Sequence, residues 1–187
     1  ILSAAACMTR GKPGRIKSLP RTDEFPHVFL TPEVHRNRFD HAIQIAGGQV
    51  QPFDTDRTRF EDLLQQEAVA GVYFTLSWFC QGDYIPIQEA AKLAKKYHKP
   101  IVVDAAAQLP PLDNFSRFLD QGADLVVFSG GKTIRGPQVS GLILGREDLI
   151  EACRLNNSPH IETIGRGMKI SKEEIIALFI ALEEYLQ

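Results

Sequence analysis

Cysteine is scarce in this 187-residue sequence, which contains only Cys7, Cys80 and Cys153. The three lie far apart, their number is odd and no C-x-x-C pair occurs, so neither a disulfide framework nor a zinc knuckle is indicated. Reduced thiols are the ordinary state of such cysteines in the cytoplasm, where we expect the protein to be located.

Long apolar runs and an excess of one charge are absent as well. The longest stretch of low polarity covers about eleven residues, 70–80, which is too short to span a bilayer. Lysine and arginine number 21 against 23 acidic residues without a dense basic block, so a broad electrostatic surface for nucleic acid is not expected. His27, His41 and His160 have no ligand-like spacing to acids or thiols, and no metal site is predicted.

Short β-rich runs alternate with helical stretches over most of the chain. Strands are predicted at 27–31, 49–53, 69–76, 101–104, 124–129 and 139–144, and helices at 40–46, 56–66, 86–97, 114–120, 146–155 and from 171 to the end. Two of the strands, 101–104 and 124–129, are apolar on both faces, as buried parallel strands are. The order predicts an α/β fold, with a mainly parallel sheet and helices on both faces.

Helix signals mark several of these boundaries. Asp40 is predicted to cap the short helix that ends at Gly47, and Ser171 with Glu174 forms a capping box at the start of the last helix. On that last helix Ile175, Leu178, Phe179, Leu182 and Leu186 fall on one apolar stripe.

Two predicted strands end in residues that carry chemistry. Asp104 closes the run 101–104, and Lys132 follows the run 124–129 after two glycines. Ligands of open α/β sheets bind at the carboxyl ends of strands, so we expect both side chains at one site. An amine can form a Schiff base with the aldehyde of pyridoxal phosphate, and a buried carboxylate can keep its pyridine nitrogen protonated.

Simpler interpretations stand beside this one. An Asp at a strand end can be a turn former, and a Lys in a Gly-rich turn can be a solvated charge. The segment Gly131-Lys132-Thr133 matches the end of a phosphate-binding loop, but Val126 stands where that pattern needs its first glycine. Gly136-Pro137 also interrupts the helix that should follow, so the phosphate loop is rejected.

Several motifs together resemble a known family. They are Val103-Asp104-Ala105-Ala106-Ala107-Gln108-Leu109-Pro110, the segment from Gly122 to Lys132, Arg135-Gly136-Pro137-Gln138, the segment from Val34 to Ala42, and Ile164-Gly165-Arg166-Gly167-Met168-Lys169. They are similar to fold-type I pyridoxal phosphate enzymes, in the branch that groups selenocysteine synthase with D-glucosaminate-6-phosphate ammonia-lyase. The resemblance implies the large domain of an aminotransferase-like fold. Residues 1–170 would form this domain without its N-terminal part, and 171–187 a helix leading to an absent small domain, so that the chain is truncated at both ends.

The resemblance also implies roles for individual residues. Lys132 would hold pyridoxal 5'-phosphate as a Schiff base, Asp104 would pair with the pyridine nitrogen, and Ser129 would lie near the phosphate. His35 would place its ring over the pyridine face, with a surface or core histidine as the alternative, and Ala106 would pack beneath it. Gln108 follows the Asp by four positions rather than the three of the related class V aminotransferase pattern, so its contact with the cofactor's phenolic oxygen is a weaker expectation.

Two arginines are candidates for binding the substrate. Arg166 lies between glycines and offers a bidentate fork for a carboxylate or phosphate, although it could equally bind a carboxylate of the fold; Arg135 is a weaker candidate. The resemblance implies a homo-oligomeric lyase that releases ammonia from an amino sugar acid, D-glucosaminate 6-phosphate. The alternatives are a selenium transferase acting on L-seryl-tRNA, another fold-type I reaction, or a sheet domain with a vestigial site that serves in assembly.

Overall fold

The six strands of the computed structural model, which describes residues 1–187, form one sheet. They are β1 Val28–Pro32, β2 Gln49–Phe53, β3 Val69–Thr75, β4 Ile101–Asp104, β5 Leu125–Ser129 and β6 Gly141–Gly145. Their spatial order is β2-β1-β3-β4-β5-β6; β1 to β5 are parallel, and β6 alone runs antiparallel to its neighbour β5. The predicted mainly parallel α/β sheet is confirmed.

Helices connect these strands and cover both faces of the sheet. They are α1 Leu2–Thr9, α2 Pro13–Ser18, α3 His41–Ile45, α4 Arg57–Leu64, α5 Ile87–Lys96, α6 Asn114–Asp120, α7 Glu147–Leu155 and α8 Lys172–Tyr185. Two short 3-10 turns, Glu33–His35 and Arg38–Asp40, follow β1. No helix is long and apolar enough to cross a membrane.

Alternate residues of the central strands enter two separate apolar clusters. Val102 and Leu125 belong to the cluster that packs beneath α1, α3 and α7, whereas Val103 and Val126 belong to the cluster beneath α4, α5, α6 and α8. Side chains of a strand point alternately to opposite faces, so a strand covered on both faces must be apolar throughout. Burial of each such side chain contributes roughly 1.5–3 kcal/mol.

The strand register brings the two predicted site segments together. Thr75 of β3 pairs with Asp104 of β4, and Asp104 pairs with Val127 of β5. Because these strands are parallel, their carboxyl ends lie at one edge of the sheet, where the loop after β5 carries Lys132.

The region after β1 differs from the sequence-based expectation. The side chain of Asp40 makes no capping hydrogen bond to α3, so the prediction that it caps this helix is wrong. Its carboxylate instead accepts a hydrogen bond from Arg36 Nε at 2.5 Å, and Asn37 provides the cap of the preceding 3-10 turn by accepting from Phe39 N. The ion pair with Arg36 thus competes with the start of α3 for the carboxylate of Asp40.

The last helix also differs in its packing. Its capping box is present as predicted, but only part of the predicted apolar stripe reaches the core. Leu178 and Leu182 pack against the large cluster, while Ile175, Phe179 and Leu186 are exposed. The role of this helix as a link to a further domain stays a prediction.

Candidate active site

A small cavity of about 80 Å³ lies at the carboxyl ends of β3 and β4, beside the loop after β5. Its walls are formed by Phe39, Thr75, Leu76, Ser77, Phe79, Asp104, Ala106, Ala107 and Lys132. Asp104 and Lys132, which are far apart in sequence, therefore face one space, and they are the only charged residues of its wall.

The carboxylate of Asp104 is held from two directions. Its Oδ2 accepts a hydrogen bond from the hydroxyl of Tyr73 at 3.1 Å, and its Oδ1 accepts one from the backbone N–H of Ala106 at 3.0 Å. Tyr73 lies on the neighbouring strand β3, and Ala106 lies in the turn directly after β4. These two donors hold the carboxylate in a defined orientation at the wall of the cavity.

The loop from Gly130 to Ser140, which joins β5 to β6, positions Lys132. A Cβ at Gly131 would lie 2.7 Å from Cα of Gln138, so only glycine fits where the two parts of the loop approach each other. Gln138 Nε2 donates to the carbonyl of Gly131 at 3.0 Å, and Thr133 Oγ1 donates to the carbonyl of Leu109 at 2.8 Å. The backbone around the lysine is thereby fixed, while the lysine side chain itself is exposed.

The segment after β1 forms the opposite wall. Asn37 Nδ2 donates to the carbonyl of His35 at 2.7 Å and to Oγ1 of Thr75 at 3.1 Å. Thr75 is buried at the end of β3 and lines the cavity, as does Phe39. Asn37 therefore connects the loop after β1 to the strand beside Asp104.

Aromatic side chains surround the mouth of this cavity. Phe39 and Phe79 have ring centroids 6.3 Å apart, and Trp78 packs its ring edge-on against Phe79 at 5.5 Å. Trp78 is 81% exposed and Phe39 is 64% exposed. The entrance is thus apolar on this side, while the exposed Lys132 also lines the cavity.

His35 lies behind this wall and does not line the cavity. Its ring is 1% exposed and packs against Tyr84 and Phe74, with centroids at 4.4 and 5.8 Å. Its Nδ1 atom has no hydrogen-bond partner, and burial lowers the pKa of the imidazole from 6.5 to about 4. The imidazole is therefore neutral at physiological pH; its contact with a cofactor ring stays a prediction.

Ser129 and Gln108 occupy different positions relative to the cavity. Ser129 is half-buried at the end of β5, two positions beyond Val127, the register partner of Asp104. Gln108 Nε2 donates to the carbonyl of Leu76 at 2.9 Å, and Leu76 lines the cavity. Gln108 thus supports the wall from behind in this structure, and neither side chain is part of the lining.

The two candidate arginines lie elsewhere. Arg166 is in the loop after α7, where Nη1 donates to the carbonyl of Pro159 at 3.2 Å. Arg135 is exposed and lies with Ala181 and Tyr185 around a separate surface cavity. Neither guanidinium faces the space between Asp104 and Lys132, and their roles in substrate binding stay predictions.

The residues present suit the reactive end of pyridoxal phosphate. A carboxylate and a primary amine face the same space, the adjoining Ala106 and Ala107 are small, and Gly131 allows close approach of the backbone. Asp104 and Lys132 would hold the reactive end of this cofactor. No group of three metal-binding side chains occurs in the structure.

Sequence reasoning missed Tyr73, Asn37 and the aromatic entrance. Tyr73 precedes Thr75 by two positions, so the alternation of side chains along β3 places both on one face of the sheet. That this face lies beside Asp104 follows from the strand register. Asn37 sits in a loop whose conformation no periodic pattern predicts.

Comparison with known proteins agrees with this fold. The chain aligns over its whole length with D-glucosaminate-6-phosphate ammonia lyase of Salmonella typhimurium, at 28% identity and covering 50% of that protein. It aligns over 98% of its length with a 5'-C-glycyluridine monooxygenase-decarboxylase of a Streptomyces species, at 29% identity and 46% coverage of that protein. The chain spans about half the length of these curated relatives.

Solved structures define the class of fold. A structure of D-glucosaminate-6-phosphate ammonia-lyase superposes with a TM-score of 0.88 over the whole chain and 50% of that protein, at 28% identity. A methionine γ-lyase from Micromonospora echinospora shares the fold, with a TM-score of 0.60 at 19% identity over 98% of this chain and 46% of its own. The fold is thus that of these lyases.

The family follows from the C-terminal part of the sequence. The profile of the L-seryl-tRNA selenium transferase (SelA) family matches residues 84–187, which include Asp104 and Lys132. The chain belongs to this family. The resemblance to the group containing selenocysteine synthase and the ammonia-lyase is confirmed.

Proposed function

We propose that this chain forms the reactive part of a pyridoxal phosphate-dependent lyase. The observation that carries the proposal is the shared cavity of Asp104 and Lys132 at the carboxyl edge of the sheet. Pyridoxal phosphate, when bound, supplies an aldehyde that captures amines and a ring that withdraws electrons from the α-carbon of the captured substrate.

Each of the two charged residues has a task in this proposal. Lys132 would hold the cofactor through Nζ, and its amine, when free, would accept the proton from the substrate α-carbon. Asp104 would face the ring nitrogen with its carboxylate and favour a proton there. Tyr73 and the N–H of Ala106 hold that carboxylate in place.

The proposed substrate is an amino sugar acid, D-glucosaminate 6-phosphate. The support is the similarity along the whole chain to an ammonia-lyase of that name, in sequence and in structure. Loss of the α-proton and the β-hydroxyl removes water, and a later addition of water releases ammonia. The products, ammonia and 2-keto-3-deoxygluconate 6-phosphate, together contain all atoms of the substrate.

The cavity wall contains few groups that could bind the phosphate of this substrate. Lys132 is its only cation, so a distal phosphate needs Arg166, Arg135 or groups outside the described wall. Ammonia release should therefore be assayed with glucosaminate both with and without the 6-phosphate, and with serine as a small control. Activity on the phosphorylated sugar acid alone supports the proposal, and activity on none of them contradicts it.

The second candidate function is transfer of selenium to L-seryl-tRNA, which the family profile favours. That reaction requires contacts with many phosphates, whereas the chain has a net charge of -2. Filter binding of the full-length protein to tRNA at low and moderate salt distinguishes the two functions. Tight binding that persists at moderate salt would favour the transferase.

Attachment of the cofactor to Lys132 is the direct test of the proposal. We expect borohydride reduction of the full-length protein with pyridoxal phosphate to label the peptide that contains Lys132. Lys132→Ala should abolish the label and the activity. Lys172→Ala, at an 86% exposed side chain, is the control and should keep both. A label on another lysine, or turnover by Lys132→Ala, would overturn the assignment.

A further inference from the structure

Tyr73 lies on β3, beside the strand that ends in Asp104, and joins the two strands at the cavity. Its hydroxyl donates to Oδ2 of Asp104 at 3.1 Å. The other carboxylate oxygen, Oδ1, accepts the N–H of Ala106 at 3.0 Å. With both oxygens held, rotation about the bond to the carboxyl group would break at least one hydrogen bond.

The tyrosine is well suited to remain a donor. Burial and then the charge of Asp104 raise its pKa far above the ordinary value, so the phenol stays protonated wherever the protein is folded. Its ring packs with the cluster beneath α1 and α7, and its own carbonyl accepts a hydrogen bond from Thr31 Oγ1 at 2.6 Å. The backbone and the ring of Tyr73 are thus both held in place.

We propose that Tyr73 is a positioning residue for Asp104, which fixes the orientation of the carboxylate toward the ring nitrogen of the cofactor. The inference rests on the proposed function, because the ring nitrogen belongs to pyridoxal phosphate. Tyr73 does not line the cavity and acts only through Asp104.

The test is cofactor affinity in a double-mutant cycle of the full-length protein. Tyr73→Phe keeps the ring and removes the hydroxyl, and we expect the dissociation constant for pyridoxal phosphate to rise about tenfold, as expected for one hydrogen bond to a charged group. The absorbance band of the bound cofactor should shift as well. In an Asp104→Asn background, Tyr73→Phe should change the dissociation constant less than twofold, because the carboxylate on which it acts is gone.

Tyr84→Phe is the matched control, since the Tyr84 ring packs against His35 and does not contact Asp104. It should leave the affinity and the absorbance band unchanged. Unfolding midpoints measured for each variant verify that the protein is folded.

The outcomes separate this inference from the proposed function. If the wild type binds the cofactor and Tyr73→Phe binds it equally well, the positioning role is wrong and the lyase proposal stands. Equal effects of Tyr73→Phe in both backgrounds would also contradict the role, because they would indicate a general structural effect. A wild-type protein that binds no pyridoxal phosphate overturns both.

Discussion

The imidazole of His35 lies 4.4 Å from the ring of Tyr84, centroid to centroid, in the buried layer behind the Asp104 cavity. It has no partner at Nδ1 and is shielded from water, so a positive charge there would be uncompensated. We therefore expect that His35, which the sequence predicts to contact the cofactor, also influences how the fold responds to acid.

Stability should fall as the pH decreases from about 6.5 to about 4. The unfolded chain protonates this imidazole near pH 6.5, whereas burial lowers the pKa of the folded state to about 4. Between these pH values the unfolded state binds more protons than the folded state. The free energy of unfolding should therefore be about 2 kcal/mol lower at pH 5 than at pH 7.5. Urea unfolding of wild type and His35→Phe at both pH values measures this. In His35→Phe, most of the difference in unfolding free energy between pH 7.5 and pH 5 should disappear. His41→Gln, at an exposed histidine, should keep this difference. The same difference in His35→Phe as in the wild type would contradict the explanation.

Gly131→Ala should disturb the lysine loop. The added methyl group would lie 2.7 Å from Cα of Gln138, which is backbone and cannot rotate away. We expect a loss of about 1–3 kcal/mol in unfolding free energy and weaker attachment of pyridoxal phosphate. Gly167→Ala is the control, since nothing lies within 4 Å of its new methyl group. Equal stability of the two variants would show that the loop can adjust.

Asn37→Ala should loosen the wall formed by the segment after β1. It removes donors to the carbonyl of His35 and to Thr75 and the acceptor for Phe39 N–H. The expected cost is about 1–2 kcal/mol, with faster hydrogen exchange at the amide of Phe39. Asn37→Asp retains the acceptor and should protect that amide while losing the hydrogen bond to the carbonyl of His35. Unchanged exchange at Phe39 in Asn37→Ala would refute the role.

Trp78 should report on occupancy of the site. It is the only tryptophan of the chain, is largely exposed and packs against Phe79 of the cavity wall. We expect water-like emission that pyridoxal phosphate quenches at saturation, because the absorption of the cofactor overlaps the emission of tryptophan. Lys132→Ala should require a higher concentration for the same quenching. Full emission from a protein shown by absorbance to be loaded would place the cofactor elsewhere.

Much of the fold could be predicted because its strands are buried on both faces. The segments 101–103 and 125–128 are apolar at every position, as is typical of parallel strands between two helical layers. The same apolar pattern does not predict the details of the site. Tyr73 and Phe74 are neighbouring aromatic positions of β3, and only the register between Thr75 and Asp104 shows which of the two faces the carboxylate. The contacts of Asn37 and the packing of His35 arise from irregular segments, where competition between hydrogen-bond partners determines the conformation.

The reversal of direction between β5 and β6 has a consequence for the lysine. Because β5 and β6 are paired, both ends of the connecting loop that carries Lys132 are anchored in adjacent strands. In the proposed function, rotation within the aliphatic side chain of Lys132 would carry its amine from the cofactor to the substrate. The distance that the amine covers would then be set by the four methylene groups of the lysine.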